Sequence, residues 1–183
     1  MAEQLISHNY LTFRVGHEWY GVDIDDVVEV THLVTVTELP ATTPDLLGLM
    51  TVREEVMPVI DLRLRFGLLA GPLHLDTPII CVRTVNGPIA LVADEAEDVV
   101  RYAESQLADY DGLGSRYVNG AVRQGDRLLL LVDIAKLRAE VIMPEQDDYL
   151  EVFAQKKIAE ERARVAALEA VENGKDVAEE PAS

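Results

Sequence analysis

The residues that most often bind metals or act as nucleophiles are few and scattered in this sequence. The histidines are His8, His17, His32 and His74. No His-x-x-x-His or Cys-x-x-Cys spacing occurs, although protein zinc sites need clustered ligands of this kind. The single cysteine, Cys81, lies in an apolar run, where a thiol is expected to be buried and unreactive. The sequence therefore predicts neither a metal centre, nor a disulfide framework, nor a catalytic cysteine.

Two acidic clusters and the glycines are the remaining candidates for ligand binding. The clusters Asp23–Asp26 and Asp94–Asp98 lack the ligand spacing and central glycine of a calcium loop, so both are predicted to be solvated turns. The glycines stand singly and form no Gly-x-Gly-x-x-Gly or Walker-type phosphate loop. We therefore expect a protein that is not an enzyme, with no cofactor.

Composition narrows the class of partner. The chain has 183 residues, a formal net charge of -17, 49% hydrophobic residues and 27% charged residues. This balance is typical of a folded domain. The excess of acidic residues disfavours binding to nucleic acids or to anionic membranes. The segment Met1–His8 shows no secretory signal, and no apolar run approaches the roughly 20 residues of a membrane helix. We expect a cytoplasmic protein with no nucleic-acid partner and no direct membrane insertion.

The elements that must position any site are predicted to be strands up to about Met143. Short β-branched runs alternate there with Gly, Pro, Asn and Asp, which is typical of an all-β fold. The predicted strands are Tyr10–Val15, Trp19–Val22, Val27–Val34, Leu49–Val52, Val56–Ile60, Ile79–Val85, Ile89–Val92, Val118–Arg123 and Arg127–Val132. Three breaks are short enough for hairpins, at Gly16-His17-Glu18, Val85-Asn86-Gly87-Pro88 and Gln124-Gly125-Asp126. Neighbouring strands are therefore expected to be antiparallel.

The sequence changes character beyond Pro144. No glycine or proline interrupts Tyr149–Glu172, which is predicted to be a weakly amphipathic helix, and Lys175–Ser183 is predicted to be disordered. The resulting division is an N-terminal tail at 1–8, a strand-rich domain at 9–143, a helical extension at 144–172 and a disordered tail at 173–183.

An internal repeat is the most informative feature of the chain. Asp26-Val27-Val28 recurs as Asp98-Val99-Val100, Gly48 recurs as Gly120, and Asp61 recurs as Asp133, always 72 positions later. A strand-rich unit of about 70 residues buries little apolar surface alone, so the two copies are expected to pack together. We predict two small five-stranded β-barrels that share a hydrophobic core. Asp61 and Asp133 each follow a strand and precede a helix-compatible segment, so both are predicted to cap a helix.

Several sequence blocks resemble the CheW family of chemotaxis coupling proteins. The first-half blocks are Leu11-Thr12-Phe13, Tyr20-Gly21-Val22-Asp23-Ile24, Val27-Val28-Glu29-Val30, Gly48-Leu49-Met50-Thr51-Val52-Arg53 and the segment from Val56 to Gly67. The second-half blocks are Leu91-Val92-Ala93-Asp94, Asp98-Val99, Tyr117-Val118-Asn119-Gly120 and Leu128–Asp133. The resemblance covers about Asn9 to Leu137.

The resemblance implies a non-catalytic adaptor with two five-stranded barrels. Such proteins couple the cytoplasmic tips of methyl-accepting chemoreceptors to the regulatory domain of a CheA-type histidine kinase, whose fold they share. The groove between the barrels is expected to receive the receptor tip. The receptor-binding positions carried over by the resemblance are Val27, Glu29, Gly48, Arg53, Thr77, Ile79 and Val99.

One residue departs from the family pattern. Where the family usually reads Asn-Leu-Arg-Gly, this chain has Thr51-Val52-Arg53-Glu54, and a carboxylate replaces a residue that readily takes positive φ. Arg53 is expected to contact a partner; the alternative is an exposed arginine paired with Glu54 or Glu55. A second functional class also stays open, a small-molecule or cation sensor that uses the groove between the barrels.

Overall fold

The computed structural model describes residues 6–39, 43–109, 116–141, 154–155, 158–159 and 161–167. The chain divides into two compact units, Met1–Ile142 and Met143–Ser183. In the second unit all described residues are helical, as predicted; the rest of the helix Tyr149–Glu172 and the predicted disordered tail lie outside the described residues. No helix in the described part of the chain is long and apolar enough to cross a membrane.

Strands dominate the first unit. They are β1 Ser7–Val15, β2 Glu18–Asp23, β3 Val27–His32, β4 Leu46–Val52, β5 Glu55–Asp61, β6 Pro78–Thr84, β7 Gly87–Val92, β8 Glu95–Ala103, β9 Ala108–Asp109, β10 Val118–Gln124 and β11 Arg127–Val132. Two short helices, α1 Leu62–Arg65 and α2 Ile134–Ala139, follow β5 and β11. The prediction of an all-β fold is confirmed.

The strands form two sheets in which the copies of the repeat interlock. Sheet A has the order β8-β1-β2-β11-β10-β9, and sheet B has the order β3-β6-β7-β5-β4. Sheet A therefore takes the β1–β2 hairpin from the first copy and four strands from the second, whereas sheet B takes the β6–β7 hairpin from the second copy and three strands from the first. The predicted hairpins are antiparallel, whereas β2 pairs with β11 and β5 pairs with β7 in parallel.

Sheet B closes through the segment that follows β3. Thr37 and Leu49 exchange two backbone hydrogen bonds, of 2.7 and 2.9 Å, so this segment pairs with β4 at the opposite edge of the sheet. Sheet B thus agrees with the predicted five-stranded barrel, and β9 adds a sixth strand to sheet A.

The acidic cluster Asp94–Asp98 was predicted to be a turn, and that prediction is wrong. Its last four residues open β8, a nine-residue edge strand that pairs with β1. The charged side chains project from this edge and form ion pairs, Glu95 with Arg14 and Glu97 with Arg127. Charged residues are typical of edge strands because they discourage pairing with other chains. At the other cluster, a single turn of 3-10 helix spans Ile24–Asp26.

Both faces of the central strands of sheet B are buried. One face carries a cluster of side chains inside the sheet: Met50, Met57, Val59, Ile79, Cys81, Ala90 and Val92. Their alternating neighbours Ile80, Val82, Ile89 and Leu91 are fully buried as well, and α2, which follows the last strand of sheet A, packs against β6. Because successive side chains of a strand point to opposite faces, the second face belongs to a core shared by the two sheets.

Repeat-related residues occupy equivalent positions in the two sheets. The register shifts between Leu46 and Gly48 in the β4–β5 pair, and between their mates Val118 and Gly120 in the β10–β11 pair. Backbone bonds obey the same shift, since Asp61 N donates to Asp45 O and Asp133 N donates to Tyr117 O, both over 2.8 Å. The copies therefore share local geometry as well as sequence.

The predicted helix caps are confirmed. The Asp61 carboxylate accepts from the backbone N–H of Arg63 at the start of α1, and the Asp133 carboxylate accepts from the backbone N–H of Lys136 at the start of α2. Asp61 has an additional role, because it also holds the buried Arg63 guanidinium through two hydrogen bonds of 2.8 and 3.0 Å.

Candidate partner-binding surface

The Arg53 guanidinium pairs with Glu29 at one end of sheet B. The distance between Arg53 Nη2 and Glu29 Oε2 is 2.5 Å. Glu29 lies on edge strand β3, and Arg53 lies in the turn between β4 and β5, so closure of the sheet brings the two residues together. The Arg53 side chain is 74% exposed and that of Glu29 only 19% exposed. A partner can therefore reach the guanidinium while the carboxylate holds it in place.

The alternative pairing of Arg53 with Glu54 or Glu55 is wrong. Glu55 instead forms two hydrogen bonds with Arg83 on β6, of 2.8 and 3.0 Å, and these bonds lower the pKa of Glu55 below its ordinary value. Glu54 is exposed and makes no ion pair or hydrogen bond with any described residue. The partners come from other strands of sheet B, since Glu29 on β3 pairs with Arg53 and Arg83 on β6 pairs with Glu55.

The turn that carries Arg53 has an unusual backbone. Arg53 and Glu54 have φ angles of +47° and +69°, the two non-glycine residues with positive φ among those described. A two-residue hairpin turn needs positive φ at its central positions, which glycine or asparagine adopts most easily. A non-glycine residue in the left-handed region costs about 1 kcal/mol, so this turn is held at an energetic cost.

Cys81 lies beneath the ion pair and is inert. It is opposite Glu29 in the register of β3 and β6, and it is fully buried. Burial raises the pKa of the thiol to about 11, with a smaller contribution from the Glu29 charge. The thiol is therefore protonated at neutral pH, as expected for a structural cysteine.

Val27 and Val99 are repeat mates on two edge strands, β3 of sheet B and β8 of sheet A. Val27 opens β3 directly after the turn Ile24–Asp26, which packs against both β1 and β6. Val99 lies on edge strand β8 opposite Leu11 and is 51% exposed. Val27 is half-buried. These positions offer apolar contact surface at the edges of both sheets.

The other three predicted site residues have structural roles here. Ile79 is fully buried inside sheet B, so it can affect a partner only through its neighbours. A Cβ on Gly48, whose φ is +142°, would lie 2.3 Å from the Thr37 carbonyl oxygen. Thr77 is buried, and its hydroxyl accepts from the backbone N–H of His74. The structure thus places Arg53 and Glu29 together and separates them from Gly48 and Thr77.

Two features of this surface were missed from the sequence. Val30, on β3 next to Glu29, is 45% exposed and extends the apolar edge near Val27; its place in a β-branched run looked like core. The free carboxylate of Glu54 became apparent only once the structure assigned partners to Arg53 and Glu55.

The alternative function, a ligand sensor, requires a binding pocket, and a cavity of about 230 Å³ is a candidate. Its lining residues are Thr43, Asp45, Leu64, Arg65, Tyr117 and Glu140. Its polar groups interact with one another, since Arg65 forms an ion pair with Asp45 and the Tyr117 hydroxyl donates to Glu140. That hydroxyl bond, with smaller help from Arg116 and Arg65, lowers the pKa of Glu140. Among the described residues no cluster of His, Cys, Asp or Glu could hold a metal ion.

Comparison with known proteins gives a consistent result. The CheW-like domain family matches residues 9–141. The chain is 31% identical to a chemotaxis protein CheW of Klebsiella aerogenes over 142 residues, covering 75% of this chain and 85% of the relative. It is 27% identical to a chemotaxis protein CheW of Treponema pallidum, covering 69% and 79%. The crystal structure of the scaffolding protein TtCheW from Thermoanaerobacter tengcongensis is similar with a TM-score of 0.66 and 27% identity, covering 70% of this chain and 90% of that one.

Proposed function

The chain belongs to the CheW-like domain family, and from that premise we propose that it couples chemoreceptors to a CheA-type histidine kinase. Family membership makes it a non-catalytic scaffold protein of chemotaxis. The finer proposal concerns its partners, which are the cytoplasmic tips of methyl-accepting chemoreceptors and the regulatory domain of the kinase. Its place of action would be the cytoplasmic side of membrane-associated receptor arrays.

The observation that carries the receptor assignment is the exposed Arg53 guanidinium held by Glu29. An arginine fork presented at the end of a sheet can make charge-assisted hydrogen bonds to a partner carboxylate. Keeping the guanidinium in one place lowers the conformational entropy lost on binding. Glu29 therefore supports recognition by positioning, and Arg53 supports it by contact.

The apolar positions Val27, Val30 and Val99 support the same proposal. A receptor tip is a helical hairpin, and an apolar stripe on a helix binds well against exposed β-branched side chains at a sheet edge. Val27 and Val30 lie on edge strand β3, the strand that also carries Glu29, so a partner that binds along this edge can meet both apolar and charged groups.

The kinase assignment rests on shared architecture. A regulatory domain with the same two-sheet fold presents similar edge strands, and edges can pair or pack across an interface. In the described part of the chain, sheet A has β8, which carries Val99, at one edge and β9 at the other, so the β9 edge is available to the kinase. Receptor and kinase could then bind different edges of one adaptor.

Co-sedimentation with receptor-containing membranes tests the proposal. The purified chain is mixed with membranes that carry receptors, with and without the kinase. We expect the chain to sediment with receptors alone, and the kinase to sediment only when the chain is present. A kinase that sediments equally well without the chain, or a chain that stays in the supernatant, would contradict coupling.

A further inference from the structure

Glu54 combines three properties. It stands in the left-handed region at φ +69°, it is exposed, and it makes no bond with any described residue. Backbone strain of this kind persists only where the surrounding structure enforces it, and it concentrates at functional sites. The repeat shows that the barrel itself does not need this solution, because the equivalent turn of sheet A places Gly125 at φ +60° next to Asp126.

The surrounding charges give Glu54 no internal role. Arg53, its neighbour, is held by Glu29 on β3, and Arg83 is held by Glu55. The arginine and glutamate charges on either side of the turn are therefore paired. The Glu54 carboxylate at the tip has no cationic partner among the described residues. No interaction within the described part of the chain offsets the conformational free energy of a glutamate at positive φ.

We propose that Glu54 is a specificity-determining contact. Its carboxylate forms an ion pair with a lysine or arginine of the receptor segment that binds against Arg53. This inference rests on the proposed function and deepens it. Because Arg53 and Glu54 are adjacent and of opposite charge, the preferred partner presents an acidic and a basic side chain next to each other. Residues three or four apart on a helix lie about 5–6 Å apart, so one helix face can supply both charges.

The inference also concerns discrimination between receptors. A receptor helix with an acidic residue opposite Glu54 would meet like charge, and repulsion excludes wrong partners as effectively as attraction selects the right one. In a relative with glycine at this position, neither effect operates. The adaptor described here should therefore bind a narrower set of receptor tips.

The test compares two variants at this position with a matched control. Glu54→Asn removes the charge and tolerates the left-handed backbone, whereas Glu54→Asp keeps the charge. Asp126→Asn removes a carboxylate from the repeat-equivalent turn of sheet A. Affinity for purified cytoplasmic-tip fragments of chemoreceptors from the same organism is measured by calorimetry at low and high salt, with thermal melting of each variant.

We expect Glu54→Asn to weaken binding about 5- to 20-fold at low salt, with a smaller difference at high salt because screening weakens exposed pairs. It should melt at the same or a higher temperature, which separates a lost contact from lost folding. Glu54→Asp and Asp126→Asn should stay within about twofold of the parent. Equal affinity of the parent and Glu54→Asn for every fragment would overturn the inference while leaving the proposed function intact. If the parent chain binds no fragment, both are wrong.

Discussion

Arg53 and Glu29 join the two edges of sheet B, with 2.5 Å between Nη2 and Oε2. Glu29 lies on β3 and Arg53 lies in the β4–β5 turn, and they meet because the sheet curls until β3 faces this turn. Their contact links architecture to function, since the fold that buries Cys81 also presents a fixed cation to a partner. The following predictions test parts of this account.

Gly48 and Gly120 are repeat mates with different tolerance of a side chain. A Cβ on Gly48 would clash with the Thr37 carbonyl at 2.3 Å and would also face a φ of +142°, whereas the nearest atom to a Cβ on Gly120 is 3.3 Å away. Gly48→Ala should therefore destabilise the protein by about 3 kcal/mol and Gly120→Ala by about 1 kcal/mol or less. Chemical denaturation of both variants measures this difference, and equal losses would show that Gly48 is not constrained by the backbone.

Replacement of Asp61 by alanine should destabilise the protein more than replacement of its repeat mate Asp133. Asp133→Ala removes a helix cap and should cost about 1 kcal/mol. Asp61→Ala removes a cap and also leaves the buried Arg63, whose side chain is 9% exposed, without its main partner, so we expect a loss of about 3 kcal/mol or more. Urea unfolding of the two variants provides the measurement. A cost for Asp133→Ala that equals that of Asp61→Ala would contradict the role given to Arg63.

The all-β class, the hairpins and the caps could be predicted from the sequence because they depend on local patterns. Turn residues, β-branched runs and the 72-residue shift are all visible in the chain. The interlocking of the two copies was not predictable, because strand partners are chosen by packing between distant segments. Strand β8 was missed for a related reason. Its acidic residues suggest a solvated turn, and only pairing with β1 makes Glu95–Ala103 a strand.

The candidate site was predictable only in part. The resemblance supplied Val27, Glu29, Arg53 and Val99 as positions. A sequence cannot show that the partner of Arg53 is Glu29 and not the adjacent Glu54. The resemblance carried Ile79 over as a receptor-binding position of the groove, and only the structure shows that its side chain is completely buried.

Cys81 should be unreactive in the folded protein. Its pKa of about 11 and complete burial leave almost no accessible thiolate at pH 8. A thiol reagent such as iodoacetamide should therefore modify the chain slowly under native conditions and rapidly in denaturant, as followed by mass spectrometry. Fast modification of the native chain at pH 8 would mean that the end of sheet B opens readily.

The C-terminal unit should be dispensable for folding of the strand-rich domain. Its described residues are all exposed, and Met143–Ser183 forms a unit of its own. Truncation after Met143 should lower the melting temperature by no more than about 3 °C, which corresponds to less than about 1 kcal/mol for a domain of this size. Circular dichroism of the truncated chain is the measurement, and a much larger drop would assign a docking role to the apolar residues of the helix.

The most direct test of the central claim is calorimetric titration of Arg53→Glu against a receptor-tip fragment and, separately, against the kinase regulatory domain. Arg123→Glu serves as the control, because Arg123 is exposed on β10 and forms no ion pair with a described residue. The exposed pair of Arg53 contributes only about 0–1 kcal/mol to stability, so melting should change little. Affinity for the receptor tip should fall by about 10- to 100-fold, the loss of one or two charge-assisted bonds, while kinase binding and the Arg123→Glu control stay near the parent. Unchanged receptor affinity together with weakened kinase binding would contradict the account, because Arg53 would then belong to the kinase interface.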